Sequence, residues 1–190
     1  MVGRSPCRRI RLPAAEVVDR PALDASQLAA VATGLGDHAA MVWLGAVLGL
    51  RWGEAAGLTV ASLDFLRGDI AIARQLGRDR ELADPKSAAG RRRIAAPAWL
   101  LDNLAALLVA RRLTAADGAV LVFVNGSGGP LNYTAWRRIR WVPVSEAAGL
   151  PGLRIHDLRS AAAASAMADR RAANLVGEHF RPRDARGMEG

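Results

Sequence analysis

Apolar positions along the chain recur with two periods, and the change from one to the other marks its organisation. Asp24-Ala25-Ser26-Gln27 fits a capping box, with Gln27 three residues after an N-cap carboxylate. It predicts a helix over roughly residues 25–34, ended by Gly34 and Gly36. The stretch from Asp37 to Leu50 is apolar nearly all round, which predicts a second helix central to the core. A short helix over Gly53 to Leu58 is expected next. From Asp69 the spacing becomes that of strands. Asp69 to Arg74 and Arg92 to Ala96 read as two strands of a small antiparallel sheet, with the polar, turn-like stretch Gly77 to Asp84 between them. Trp99 to Arg112 is an amphipathic helix, Val120 to Val124 a short strand or extended segment, and Asn125 to Pro130 a loop. Leu131 to Trp141 predicts a basic helix closed by Pro143, followed by a short helix over Val144 to Ala148. A last helix opens at His156 and runs to about Ala173. The expected fold is mostly α with a small antiparallel β-sheet, an α+β arrangement.

The 190 residues are 51% hydrophobic and 23% charged, a globular composition. The net charge of +8 favours a polyanionic partner, nucleic acid first of all. The single cysteine, Cys7, excludes an internal disulfide and a multi-cysteine zinc site, and no metal or other cofactor is expected. The uncharged apolar run Ala39 to Leu50 is too short to span a bilayer, so no membrane association is expected. The opening MVGRSPCRRIRLP has no apolar segment of the signal-peptide kind. The expectation is a cytoplasmic, nucleoid-associated protein. Residues 1–20 read as a basic arm or linker, 21–175 as the folded domain, and 176–190 as a degenerate tail expected to be disordered.

Three local features carry chemistry. All but one of the 26 basic residues are arginine; the exception is Lys86, in the turn between the two strands. A lysine can surrender a proton and an arginine cannot, although on composition alone a solvated turn residue is the favoured reading. Arg51 closes the most apolar helix, with Glu54 three residues on. A guanidinium there is either ion-paired to Glu54 or aimed at an anion, and these residues by themselves leave both open. His156 and Arg159 share the face of a helix start, where phosphate oxygens are also favoured; taken alone, that spacing is common.

Together, in this order, LGLRWGEAAGLTVASLDF (48–65), PKSAAGRRRIAAP (85–97) and GLRIHDLRSAAAAS (152–165) resemble the catalytic domain of the tyrosine recombinase, or phage integrase, family. The spacer LVFVNGSGGPLNYTAWRRIRW is similar to the family's, and the resemblance covers about residues 20 to 175. It implies the family's DNA breaking-and-rejoining fold and phosphoryl transfer to a protein tyrosine without a metal. Arg51 and Arg159 match the arginines that grip the non-bridging oxygens, Lys86 the general acid, and His156 a donor or proton shuttle at the phosphate. Glu54 matches the acidic residue that orients the first arginine. Arg91, Arg92, Arg93, Arg137, Arg138 and Arg140 are candidate phosphate contacts, or else solvated basic faces.

The resemblance breaks near the C-terminus. Gly177-Glu178-His179 is a poor echo of the family's Gly-His motif, and His179 reads as a surface histidine of the tail. Ser160 stands where the family usually has another histidine. No tyrosine follows, so no nucleophile is assigned; the single tyrosine, Tyr133, reads as a core or DNA-backbone residue. The expectation is a truncated recombinase domain from a mobile element, descended from an enzyme of DNA integration and recombination. It would bind double-stranded DNA without cleaving it unaided. The alternatives are a non-catalytic partner that modulates an intact recombinase protomer, whose tyrosine could then act in trans, and a poorly folded relic.

Overall fold

The computed structural model describes residues 23–84 and 90–160. The expectations for residues 1–20, Lys86 and His179, and for the helix beyond position 160, lie outside them.

Helix α1 (Ala25–Leu35) begins with the capping box read from the sequence. The Asp24 carboxylate accepts from the Gln27 N–H at 2.8 Å, and the Gln27 side chain accepts from the Asp24 N–H at 3.1 Å. A 3-10 turn (Gly36–His38) leads into α2 (Ala39–Ala46), whose residues Ala40 to Ala46 are all buried. Helix α2 is central as expected, but ends four residues before Leu50. Gly49 adopts φ 66°, and the Leu50 N–H bonds back to the Leu44 carbonyl at 3.0 Å. A left-handed glycine followed by an N–H that bonds six residues back terminates the helix, and glycine takes that conformation without a Cβ clash.

Helix α3 (Trp52–Ala56) follows directly. Its Gly53 and Gly57 lie against the backbone of β3 (Gln75–Leu76): an added Cβ would come within 2.8 Å of the Leu76 carbonyl oxygen and 2.9 Å of its nitrogen, respectively. Strands β1 (Leu63–Asp64), β2 (Asp69–Ile72) and β5 (Arg92–Ala95) form an antiparallel sheet in the order β1-β2-β5, with Ile70 opposite Ile94 and Ile72 opposite Arg92. The region expected to be only turn-like contributes a hairpin instead, β3 paired with β4 (Leu82–Ala83). Its strands are two residues long, too short to show an alternation.

Helix α4 (Ala98–Ala110) packs through Leu100, Leu101, Leu104 and Leu108. Residues 120–124 are not a strand but an irregular segment with one isolated bridge, Leu121 to Thr59. Around it, the Val60 N–H donates to the Val120 carbonyl at 3.0 Å and the Val122 N–H to the Leu58 carbonyl at 2.8 Å. The carbonyls of Leu121 and Val122 accept from Arg111 Nη1 at 2.7 and 2.6 Å, so a side chain satisfies carbonyls that this short bridge leaves over.

The basic helix differs most from expectation. It does not close at Pro143. Helix α5 (Tyr133–Trp136) passes through a π turn (Arg137–Trp141) into α6 (Val142–Ala147). The Val142 N–H reaches the Arg137 carbonyl five residues back. The widened turn makes room for a proline ring that would strike the carbonyl four residues earlier in an α turn. It also places Trp136 and Trp141, five apart, on one buried side, their rings stacked at 6.0 Å. The four residues between them, Arg137 to Arg140, are all exposed.

His38 fastens this helix to the rest. Trp136 Nε1–H donates to His38 Nδ1 at 2.9 Å. An indole nitrogen can only donate, so Nδ1 is unprotonated and Nε2–H donates to the Val124 carbonyl at 3.0 Å. Burial, with a contribution from the Arg140 charge, holds the His38 pKa below the ordinary histidine value; the Val124 hydrogen bond and Asp37 oppose the shift. The unfolded chain therefore takes up this proton first. The stabilisation is present above about pH 6.5 and is lost as pH falls towards the folded-state pKa. Urea midpoints should drop between pH 7 and pH 5, and His38→Gln should flatten that dependence. An equal drop in the variant would exonerate His38. Among the described residues, no helix is long and apolar enough to cross a membrane.

Candidate functional site

The site is built around the start of α3. Arg51 is the N-cap residue, with extended backbone at φ −72°, ψ 154°. Glu54, at the third helical position, reaches back so that Oε2 accepts the Arg51 N–H at 2.8 Å. This is the local reason for the spacing: the carboxylate satisfies an otherwise orphaned donor. Its side chain is 6% exposed, and three further hydrogen bonds reach it. Arg51 Nη1 donates to Oε1 at 3.2 Å, Arg92 Nη1 to Oε1 at 3.0 Å, and Arg92 Nη2 to Oε2 at 3.0 Å. Each oxygen thus accepts two bonds, which fills the acceptor capacity of a carboxylate. Burial pushes the Glu54 carboxyl up, but the hydrogen bonds from Arg92 and Arg51 and the Arg92 charge outweigh it and hold the pKa below the ordinary carboxylate value. Arg51 commits one side-chain nitrogen to Glu54, while its side chain remains 64% exposed.

Arg159 arrives from the other end of the chain. Residues 157–160 form a helical turn whose Leu158 is buried beside Gly45 of α2. Trp141 Nε1–H donates to the Leu153 carbonyl at 2.8 Å and anchors the approach to it. Arg159 Nη1 donates to the carbonyl of Gly49, the residue whose positive φ turns the chain two positions before Arg51. Burial lowers the Arg159 pKa, and the Arg51 and Arg92 charges lower it further; Glu54 acts the other way. Three guanidinium groups therefore surround one carboxylate, leaving positive charge in excess at a partly open surface. His156 is exposed at the start of the same turn, its carbonyl accepting the Arg159 N–H at 3.1 Å.

The structure thus brings Arg51, Glu54 and Arg159 together and adds Arg92 to them. Arg91, Arg92 and Arg93 all meet carboxylates, on alternate sides of the strand. Arg91 pairs with Asp84 at 2.6 Å, across the ends of the segment that holds Lys86 in sequence. Arg93 bridges Asp64 at 2.8 Å and Asp69 at 2.5 Å, two carboxylates that face each other across β1 and β2 and would otherwise repel. Arg92 shares the inward side of β5 with Ile94. That shared parity was the sequence signal for its buried partner, since a guanidinium on a core-facing side needs a counter-charge.

An aromatic row connects this cluster to the exposed arginines. The Trp52 ring lies 5.0 Å from Tyr133, edge-on, and 6.1 Å from Trp136. Tyr133 is 40% exposed. Arg137, Arg138 and Arg140 occupy the solvent side of the helix whose other side carries Trp136 and Trp141. Sequence reasoning missed this row because it joins residues from separate helices. Among the described residues, no three His, Cys, Asp or Glu side chains gather as a metal site would need.

No protein-family model and no curated protein matches the chain. Solved structures do. The integrase of transposon Tn1549, in complex with transposon right-end DNA, superposes with TM-score 0.64 at 19% identity, covering 86% of this chain and 60% of that one. XerA recombinase superposes with TM-score 0.59 at 19% identity, covering 85% and 57%. XerH site-specific recombinase bound to its difH substrate, in a pre-cleavage complex, gives 0.53 at 20%, covering 83% and 46%. The chain has the fold of a tyrosine recombinase catalytic domain. It spans 46–60% of the length of these relatives.

Proposed function

We propose that the protein binds duplex DNA and seats one backbone phosphate between Arg51 and Arg159. His156 and Lys86 serve the same phosphate, and Arg137, Arg138 and Arg140 contact the flanking backbone. The observation that carries this is the Arg159 hydrogen bond to the Gly49 carbonyl. It holds a second guanidinium at the turn leading into Arg51, although like charges repel. The singly charged backbone phosphodiester would relieve that repulsion, and preorganised forked donors suit its two non-bridging oxygens. The fold shared with DNA-bound recombinases supports the same reading.

Site-specific recombination is then the ancestral chemistry. These 190 residues alone bind without cutting, because their one tyrosine is Tyr133, packed on Trp52 and preceding the His156–Arg159 turn. Affinity for a labelled duplex should fall steeply with salt, the logarithmic slope being about −0.9 for each phosphate neutralised. Replacing Arg137, Arg138 or Arg140 singly should reduce that slope by about one. A flat salt response would remove the DNA reading. A nicked suicide duplex should trap no covalent protein; an adduct abolished by Tyr133→Phe would instead make Tyr133 the nucleophile.

A further inference from the structure

We infer that Arg92 is a positioning residue for Arg51 and makes no phosphate contact of its own. This rests on the phosphate reading just given, and it assigns Arg92 a role opposite to that of a free surface arginine.

Arg92 presents both terminal nitrogens to both Glu54 oxygens at 3.0 Å each, a forked pair with its side chain only 30% exposed. Nη1 also donates to the Gly90 carbonyl at 3.3 Å. Three of its five N–H donors, including one on each terminal nitrogen, are therefore committed inside the protein. Glu54 in turn holds Arg51 by both main chain and side chain. Without Arg92, the buried carboxylate would face Arg51 alone and would draw that guanidinium inward to complete its acceptor set. With Arg92 in place, Glu54 is already saturated, and Arg51 keeps its remaining donors outward for an anion. Arg92 also joins β5 to the N-terminus of α3, elements 38 residues apart in sequence. The strand that follows the Lys86 segment is thereby tied to the helix that starts at Arg51.

The test measures binding of the full chain to a fluorescein-labelled mixed-sequence duplex, well below the melting temperature of every variant. Arg92→Gln and Glu54→Gln are each expected to weaken binding about three- to tenfold, and Arg92→Gln should be silent in an Arg51→Ala background. Arg92→Lys should behave as Arg92→Gln, because an ammonium cannot make the fork. It retains the charge and also serves if the glutamine variant fails to fold. The sign for Glu54→Gln is diagnostic. Removing a negative charge should tighten DNA binding if charge alone matters, whereas loss of positioning loosens it. Three results would overturn the assignment: an equal loss from Arg92→Gln in both backgrounds, wild-type affinity for Arg92→Gln, or tighter binding by Glu54→Gln. An Arg51→Ala protein with unchanged affinity would overturn the phosphate reading itself, and this assignment with it.

Discussion

Arg159→Ala should weaken duplex binding by about tenfold to a hundredfold while leaving the fold intact. The affinity estimate follows from losing charge-assisted hydrogen bonds to phosphate, worth about 1.5–3 kcal/mol. The small effect on stability has two opposed causes. The variant loses the hydrogen bond to the Gly49 carbonyl, worth about 1 kcal/mol. It also removes a guanidinium whose pKa is depressed by burial and by Arg51 and Arg92, so a repulsion disappears. Arg159→Lys separates charge from geometry. An ammonium preserves the charge but cannot hold Gly49 and a phosphate with one planar fork, so its affinity should fall between the two. Anisotropy titrations at fixed salt, paired with thermal melts, would measure both quantities. If Arg159→Ala unfolds the protein, the side chain is structural; if Arg159→Lys binds as tightly as wild type, the forked geometry is irrelevant.

Trp141→Ala is the expected site of greatest stability loss, about 3–5 kcal/mol. Trp141 is 1% exposed, stacks on Trp136 at 6.0 Å, and donates to the Leu153 carbonyl at 2.8 Å. Its removal would empty the buried side of the π turn and release the approach to His156 and Arg159 together. Trp141→Phe keeps an aromatic ring but leaves the Leu153 carbonyl unpartnered, and should cost about 1–3 kcal/mol. Urea unfolding at neutral pH would rank the two. A loss below about 1 kcal/mol for the alanine variant would mean that the helix is held by other contacts, with His38 the first candidate.

The parts of the fold legible in the sequence are those governed by near neighbours. The Asp24–Gln27 capping box acts over three residues, and the Glu54 contact to the Arg51 N–H spans the same interval. The strands Asp69–Ile72 and Arg92–Ala95 show alternation sufficient to be found. The π turn was not legible. Pro143 stops an ordinary helix, and only the burial of Trp136 and Trp141 on one side makes the wider turn favourable here. The β3–β4 hairpin is too short to announce itself, and residues 120–124 make a single bridge, to Thr59, while Arg111 takes the Leu121 and Val122 carbonyls.

By itself, the order of residues determined helix α1, the central apolar helix and strands β2 and β5, the surplus of arginine, and the motifs around Arg51, Lys86 and His156–Arg159. The tertiary structure decided which guanidinium groups remain available to an anion and which are already paired. Arg92 meets Glu54 across 38 positions and Arg159 meets Gly49 across 110. A hydrogen bond depends on a separation of a few ångströms, and periodicity along a chain carries no record of which distant segments will be folded to that distance.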